Sequence, residues 1–164
     1  MSKKFSLVIF TDLDGSLLHR DTFKFDEIKD YLKDLISQNI YIIPTTSKTE
    51  KEILEFNKEL GINLPFISEN GSAISRLDII NSDLPKELIL SREKEILIKI
   101  FEKEVKEDLK IKCRWLWQMK EGNQSKILGL TNSKLKNAME RKYTAPFIFD
   151  GNKNKKSELI KILK

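Results

Sequence analysis

Apolar residues recur along the chain with two spacings, and these spacings predict where strands and helices lie. Short apolar runs give way to polar residues after Phe10, Ile43 and Ile67, which is typical of buried strands. Between the runs, apolar residues recur every three to four positions, as in helices packed by one face. The predicted elements are strands over 5–10, 40–43 and 65–68, a helix capped by Asp26 that stops at Asn39, and a helix from Thr49 to Gly61.

This β-α-β-α-β order with short links favours a parallel sheet with helices on its faces. Ligands of such sheets bind beyond the carboxyl ends of the strands. The three predicted strand ends carry Asp12 and Asp14, residues 45–47, and Glu69 with Asn70. We therefore expect these polar residues to meet in one crevice.

The pattern changes at residues 80–84, where a second unit of α+β type is predicted to begin. We place the first domain at residues 1–80 and the second at 81–164. The elements predicted for the second domain are a helix capped by Ser91, an alternating strand over 113–119, a strand over 126–130, a helix over 133–142, a strand over 146–149 and a last helix capped by Ser157 over 158–163.

Composition narrows the class of protein. Of the 164 residues, 40% are hydrophobic, which is enough for a packed core. No apolar run approaches the roughly 20 residues that span a bilayer, so we expect no membrane association.

The single cysteine, Cys113, excludes a disulfide within the chain and fits a reducing cytoplasm. The net charge of +5 is spread along the chain, so a basic nucleic-acid-binding module is the least favoured alternative, and we expect no nucleic acid partner.

Asp12 and Asp14 are a candidate catalytic pair on the loop after the first strand. Paired carboxylates bind a divalent cation, or act as nucleophile and acid/base. Oxygen ligands with few neighbours suit Mg²⁺, which keeps waters and uses substrate phosphate as a ligand. Thr46 and Ser47 offer donors to an anion at the start of a helix, and Lys48 adds positive charge. The structural alternatives are a loop-capping aspartate pair and an ordinary helix N-cap.

Several motifs resemble the haloacid dehalogenase superfamily of aspartyl phosphatases. DLDGSLL at residues 12–18 is similar to its first signature, and TSK at 46–48 stands where it has its second. SENGSAI at 68–74 resembles a stretch of its sugar-phosphatase branch, which has a large α/β cap. Three further segments resemble the mannosyl-3-phosphoglycerate phosphatases: PTTSKT at 44–49, ILGLT at 127–131 and RKYTAPF at 141–147.

The resemblance implies an α/β fold, with a three-layer core of the haloacid dehalogenase type and an inserted α/β cap domain. It implies a Mg²⁺-dependent phosphatase that acts on a phosphorylated small molecule, a glycosyl-3-phosphoglycerate, and releases phosphate and a glycosylglycerate, a compatible solute. Asp12 would attack phosphorus, and Asp14 would protonate the leaving alcohol and then activate water. Mg²⁺ would bind the Asp12 carboxylate and the Asp14 backbone carbonyl.

The resemblance also implies roles for residues that bind the substrate. Phosphate would be held by Thr46, Ser47 and Lys48. The other implied contacts are Asn70 and Gly71 at the substrate entrance, and Arg141 and Thr144 of the cap near the glycerate carboxylate or the sugar. Lys142, Thr144 and Ala145 depart from the usual cap loop, in which two glutamates and a serine stand at these positions.

A second departure concerns the core. The superfamily places a lysine and a G-D-x-x-x-D acidic pair on strands that follow the cap, and Asp150-Gly151 does not match that motif. The first strand would then keep an exposed apolar edge. We expect the core to be incomplete and to be completed by a further C-terminal segment or by a second chain. The alternative is a fragment or a subunit of a split phosphatase that binds a phosphorylated ligand without turnover.

Overall fold

The computed structural model describes residues 7–19 and 25–164. Backbone contacts divide the chain into two compact units, Met1–Ser91 and Arg92–Lys164. Each unit has its own cluster of buried apolar side chains. All three predicted strand ends belong to the first unit.

The first unit alternates strands and helices and then ends in antiparallel strands. The predicted β-α-β-α-β order is confirmed, while residues 5 and 6 of the first predicted strand lie outside the described residues. The elements are β1 (Val8–Thr11), α1 (Asp26–Ser37), β2 (Tyr41–Pro44), α2 (Glu50–Leu60), β3 (Phe66–Ser68), β4 (Ala73–Ser75), a 3₁₀ helix (Leu77–Ile79) and β5 (Glu87–Ile89).

Parallel pairing aligns the carboxyl ends of the first three strands. β1 pairs in parallel with β2, and Thr11 at the end of β1 lies opposite Pro44. A parallel bridge between Thr45 and Ile67 links the end of β2 to β3. The loops that follow β1, β2 and β3 therefore leave the strands side by side.

The end of the first unit explains where the two units separate. β4 pairs with β3 and β5 pairs with β4, both antiparallel. Leu90 N also donates a hydrogen bond to Ser72 O at 2.9 Å. These bonds attach residues 87–90 to the first unit, so the compact units divide after Ser91, later than the boundary that we predicted at residues 80–84.

α2 begins after Thr49 and ends at Gly61, as the sequence predicts. Thr49 is the N-cap, and its hydroxyl accepts a hydrogen bond from Glu52 N at 3.3 Å. Gly61 ends the helix with a φ of +78°, in the left-handed region that favours glycine. No helix within residues 7–19 and 25–164 is long and apolar enough to cross a membrane.

The core of the first unit lies between its helices and strands. Ile53 and Leu60 of α2 and Phe66 of β3 are fully buried, together with Leu13 of the loop after β1. Asn57 is the polar exception in this region of α2, and its amide donates to Leu64 O at 3.1 Å. Because Leu13 belongs to this core, the core anchors the loop that carries Asp12 and Asp14.

β1 leaves apolar side chains in contact with solvent. Leu7, directly before the strand, is 58% exposed, and Phe10 within it is 62% exposed. Among the described residues, no strand other than β2 pairs with β1. An unpaired apolar edge of this kind can accept another strand.

The second unit combines helices with a two-stranded antiparallel sheet, as the predicted α+β class requires. Its aromatic core includes Phe101, Trp115 and Phe147, and the rings of Phe101 and Trp115 meet edge to face at 4.7 Å. The elements are α3 (Lys94–Glu104), α4 (Glu107–Lys110), β6 (Cys113–Trp115), a 3₁₀ helix (Leu116–Gln118), α5 (Glu121–Leu128), α6 (Asn132–Met139), β7 (Phe147–Phe149) and α7 (Lys153–Ile162).

Of the strands predicted in the second unit, one is absent and another is shorter than predicted. The segment 126–130 is not a strand, because α5 runs to Leu128 and ends at Gly129 with a φ of +67°. A short apolar run fits either a strand or a helix end, and the glycine was the signal for a helix end. The predicted strand over 113–119 ends at Trp115, where a 3₁₀ helix begins.

Three predicted helix caps are wrong as well. Phe25, Glu93 and Asn152 occupy the N-cap positions of α1, α3 and α7, in place of Asp26, Ser91 and Ser157. The Asn152 side chain accepts a hydrogen bond from Lys155 N at 3.0 Å. Ser157 lies inside α7, where its hydroxyl donates to Lys153 O at 3.0 Å.

The buried face of α2 supplies a test of the first core. We expect Ile53→Ala to lower the free energy of unfolding by about 2–5 kcal/mol, because Ile53 is fully buried and its removal leaves a cavity. Ile111→Ala is the matched control, since Ile111 is 71% exposed, and should change it by less than about 0.5 kcal/mol. Urea titration of both variants measures the difference, and equal losses would contradict the assignment of this core.

Candidate active site

The loop after β1 turns sharply and presents Asp12 to solvent. Its two ends are joined by hydrogen bonds from Leu18 N to Leu13 O at 2.7 Å and from Gly15 N to Leu18 O at 2.8 Å. Gly15 has a φ of +79°, which glycine adopts without strain. Leu13 N donates to the Asp12 carboxylate at 2.8 Å. The buried leucines therefore hold the loop, while the Asp12 side chain stays exposed.

Backbone hydrogen bonds join the loop after β2 to its neighbours on both sides. Thr45 N donates to Thr11 O at 2.8 Å, and Thr46 N donates to Ile67 O at 3.0 Å. Thr46 is buried, and its hydroxyl accepts a hydrogen bond from Lys48 N at 3.3 Å. This loop is therefore fixed between the ends of β1 and β3, directly before α2 begins.

The loop after β3 is held in a strained conformation. Glu69, Asn70 and Gly71 have φ values of +47°, +62° and +90°. A left-handed conformation costs a residue such as Glu69 about 1–2 kcal/mol, while asparagine adopts it more readily and glycine adopts it without strain. Hydrogen bonds to the loop after β2 oppose this cost, from Glu69 N to Lys48 O at 2.9 Å and from Asn70 N to Thr46 O at 3.0 Å. Strain that is held in this way is typical of functional sites.

The three loops surround one cavity of about 400 Å³. It is lined by Asp12, Thr45, Thr46, Ser47 and Asn70. The predicted convergence of three strand ends in one crevice is therefore confirmed for these five residues, while Asp14 and Glu69, which we also placed there, are not part of the lining. The chemical roles of these residues stay predictions, and so does the role of Gly71, which lies in the same strained turn.

Asp14 and Lys48 form an ion pair beside this cavity. Lys48 Nζ lies 3.1 Å from Asp14 Oδ1 and 3.6 Å from Glu52 Oε1. Asp14 Oδ1 is buried and makes no hydrogen bond in the described part of the chain, so its contact with Lys48 is electrostatic. Lys48 was predicted to hold phosphate; its ammonium group contacts these two carboxylates, and its contact with phosphate stays a prediction.

Asp12 and Asp14 also determine what cation this site fits. Within residues 7–19 and 25–164, no group of three or more His, Cys, Asp or Glu side chains is arranged for a metal ion. Mg²⁺ needs no such group, because it binds one or two carboxylates and completes its shell with water and substrate phosphate. The exposed Asp12 carboxylate fits that requirement, while the contact of Asp14 with Lys48 favours the Asp14 backbone carbonyl over its side chain as a further ligand.

Arg141 and Thr144 form a cluster in the second unit. Arg141 Nη1 donates a hydrogen bond to Thr144 Oγ1 at 2.9 Å, and the Arg141 Nε atom is buried. The side chain of each residue therefore orients the other. Their contact with a substrate stays a prediction.

Glu52 is the residue of this region that the sequence analysis missed. Its carboxylate accepts hydrogen bonds from Thr49 N at 2.9 Å and from the Thr49 hydroxyl at 3.1 Å, which completes a capping box. The spacing T-x-x-E at the start of a helix was the available signal. The contact of Glu52 with Lys48 depends on side-chain positions, which no spacing determines.

Cys113 is unsuited to act as a nucleophile. Burial, and secondarily the nearby Glu102 carboxylate, raise the pKa of the Cys113 thiol. The thiol faces Leu109 O at 3.4 Å. The thiolate that nucleophilic attack requires is therefore disfavoured at neutral pH.

The sequence profile of the haloacid dehalogenase-like hydrolases matches residues 9–164. Two relatives carry the name glucosyl-3-phosphoglycerate/mannosyl-3-phosphoglycerate phosphatase. The protein from Persephonella marina is 46% identical over 68 residues, which are 42% of this chain and 25% of the relative. The protein from Methanococcoides burtonii is 46% identical over 67 residues, 41% of this chain and 25% of the relative. The matched segments thus span about a quarter of either relative.

Solved structures of this superfamily have the same fold over nearly the whole chain. BT1666 from Bacteroides thetaiotaomicron, a phosphatase of the superfamily, aligns with a TM-score of 0.64 and 15% identity, over 99% of this chain and 62% of its own. The sugar phosphatase BT4131 aligns with a TM-score of 0.56 and 13% identity, over 95% of this chain and 63% of its own. The predicted α/β fold of haloacid dehalogenase type is confirmed.

The strained turn after β3 supplies a test of the site's architecture. We expect Gly71→Ala to lower the free energy of unfolding by about 1–2 kcal/mol, because its φ of +90° disfavours any side chain. Gly122→Ala is the matched control. It should raise the free energy of unfolding by about 0.5–1 kcal/mol, because Gly122 lies in α5 and alanine favours helices over glycine. Neither added methyl group meets an atom within 4 Å. Urea titration that shows no loss for Gly71→Ala would contradict the strained turn.

Proposed function

This chain belongs to the haloacid dehalogenase-like hydrolases, and we propose that it hydrolyses a phosphomonoester at the cavity between the loops after β1, β2 and β3. The observation that carries the proposal is the exposed Asp12 carboxylate in one cavity with Thr46 and Ser47. Phosphoryl transfer needs in-line positioning and neutralisation of charge. A nucleophile beside hydrogen-bond donors from a helix start provides the positioning.

In the proposed reaction, an Asp12 oxygen attacks phosphorus and the bond from phosphorus to the alcohol oxygen breaks. Asp14, in its protonated form, gives a proton to that oxygen, and an aspartyl-phosphate remains on Asp12. Asp14 then takes a proton from water, and the water oxygen attacks phosphorus, which releases phosphate and restores Asp12. Thr46 and Ser47 hold the transferring phosphoryl group, with Asn70 and Gly71 at the entrance. Bound Mg²⁺ would neutralise the phosphate charge next to Asp12.

We propose glucosyl- or mannosyl-3-phosphoglycerate as the substrate. The support is the name of two relatives that share 46% identity with part of this chain. Arg141 and Thr144 would contact the glycerate carboxylate or the sugar, since a guanidinium group binds carboxylates well. We place the reaction in the cytoplasm, which the single cysteine fits.

The first test is phosphate release by the 164-residue chain from mannosyl-3-phosphoglycerate, with Mg²⁺ and with a chelator. We expect turnover that requires Mg²⁺, and Asp12→Asn should lower kcat on the order of 10³-fold or more, because the nucleophile is lost. Asp30→Asn is the control, since this α1 carboxylate is 99% exposed, and should leave kcat unchanged. Equal loss in both variants, or full activity of Asp12→Asn, would contradict the proposed nucleophile. Parallel assays with 3-phosphoglycerate and glucose 6-phosphate test the substrate.

A second candidate function is that of a subunit of a split phosphatase. It is favoured by the exposed apolar residues of β1 and by the lack, in the described part of the chain, of three His, Cys, Asp or Glu side chains arranged for a metal ion. In this case a second chain, or a further C-terminal segment, would add a strand to the edge of β1. Titration calorimetry that shows Mg²⁺-dependent binding of mannosyl-3-phosphoglycerate, with no phosphate released, would support this candidate.

The β1 edge can be tested directly. We expect the chain to self-associate as its concentration rises, and Phe10→Lys to suppress this association at least about fivefold, because a charge on an edge strand opposes pairing. Tyr31→Lys is the matched control, since Tyr31 on α1 is 64% exposed, similar to Phe10 at 62%. Sedimentation velocity measures the association. Equal suppression by both variants would show that general charge, and not β1, controls it.

A further inference from the structure

Lys48 lies between two carboxylates that belong to different elements. Its Nζ atom is 3.1 Å from Asp14 Oδ1, on the loop after β1, and 3.6 Å from Glu52 Oε1, on α2. The side chains of Lys48 and Glu52 are only 14% and 11% exposed. Charges that are partly shielded from solvent in this way are screened less by salt than surface charges.

The two oxygens of Glu52 have separate contacts. Oε2 accepts the hydrogen bonds from Thr49 N and from the Thr49 hydroxyl. Oε1 faces the Lys48 ammonium group. Because Thr49 is fully buried and caps α2, the Glu52 carboxylate is fixed by the start of the helix. The position of Lys48 is therefore tied to α2 through Glu52.

A lysine side chain is long and flexible, and a single charge contact restrains it weakly. Two carboxylates from different elements restrain it better than one. Lys48 directly follows Thr46 and Ser47 in the loop that lines the cavity. Without Glu52, its ammonium group could turn away from Asp14 and towards that cavity.

We propose that Glu52 is a positioning residue that keeps Lys48 against Asp14, so that the orientation of the Asp14 carboxyl is set from the start of α2. The proposal rests on the proposed function where it concerns Asp14 as acid and base. Asp14 must reach first the leaving oxygen and then a water molecule, and a carboxyl group that Lys48 holds in one orientation favours both steps.

The experiment uses the Glu52→Gln variant of the full 164-residue chain. A glutamine carbonyl can still accept the hydrogen bond from Thr49 N, so the helix cap is retained while the charge next to Lys48 is lost. Glu59→Gln is the matched control, because it removes the same charge from an exposed position of α2. Urea titration establishes that both variants are folded.

The readout is the rate at which Lys48 reacts with trace acetic anhydride, measured by mass spectrometry relative to Lys33 in the same sample. Acylation needs access to an amine that is not held by carboxylates. We expect Lys48 to react about fivefold faster in Glu52→Gln, a change of about 1 kcal/mol at 1.36 kcal/mol per tenfold. Glu59→Gln should leave the rate within twofold. An unchanged rate in folded Glu52→Gln would overturn the proposal.

Turnover provides the second readout. If the unmodified chain hydrolyses mannosyl-3-phosphoglycerate, Glu52→Gln should lower kcat about fivefold and leave KM within twofold, because the change loosens the position of Asp14 and leaves the residues that line the cavity unchanged. A residue that only capped the helix would change neither value. If the unmodified chain shows no turnover while Lys48 becomes more reactive in Glu52→Gln, the proposed function fails and the positioning role of Glu52 stands.

Discussion

Backbone hydrogen bonds between the loops after β1, β2 and β3 are the constraint on which the candidate site depends. Thr45 N bonds to Thr11 O, Thr46 N to Ile67 O, and Asn70 N to Thr46 O, all at 2.8–3.0 Å. These bonds join main-chain atoms, so the loops are held together without side-chain contacts. Parallel pairing of the strands thus brings polar side chains from three distant parts of the chain to one cavity.

Polar contacts at the start of α2 also link the loops of the site. Thr49 and Glu52 cap the helix, and Glu52 also faces the Lys48 ammonium group, which faces Asp14. The helix start, the loop after β2 and the loop after β1 therefore share one connected set of polar contacts. A change at the helix cap can reach Asp14 without any change in the strands.

The charges at the site also constrain the proposed reaction. A phosphate ester that approaches Asp12 meets a charge of its own sign, and Lys48 is already in contact with Asp14 and Glu52. Like charges at contact distance repel strongly in a partly shielded site. Under the proposed function, this repulsion is the physical reason that Mg²⁺ is required beside Asp12.

The sequence by itself determined the order of elements in the first unit, the start of α2 at Thr49 and the polar strand ends, because these depend on periodicity and on short-range hydrogen bonding. It did not determine the secondary structure of residues 126–130. A short apolar run fits both a helix and a strand there, and the segment forms the end of α5. Only the tertiary structure decided that Lys48 faces Asp14 and Glu52, since the rotamer of a long side chain depends on neighbours distant in sequence. The left-handed turn at 69–71 was likewise decided by bonds to the loop after β2, which offset the cost of a left-handed conformation at Glu69.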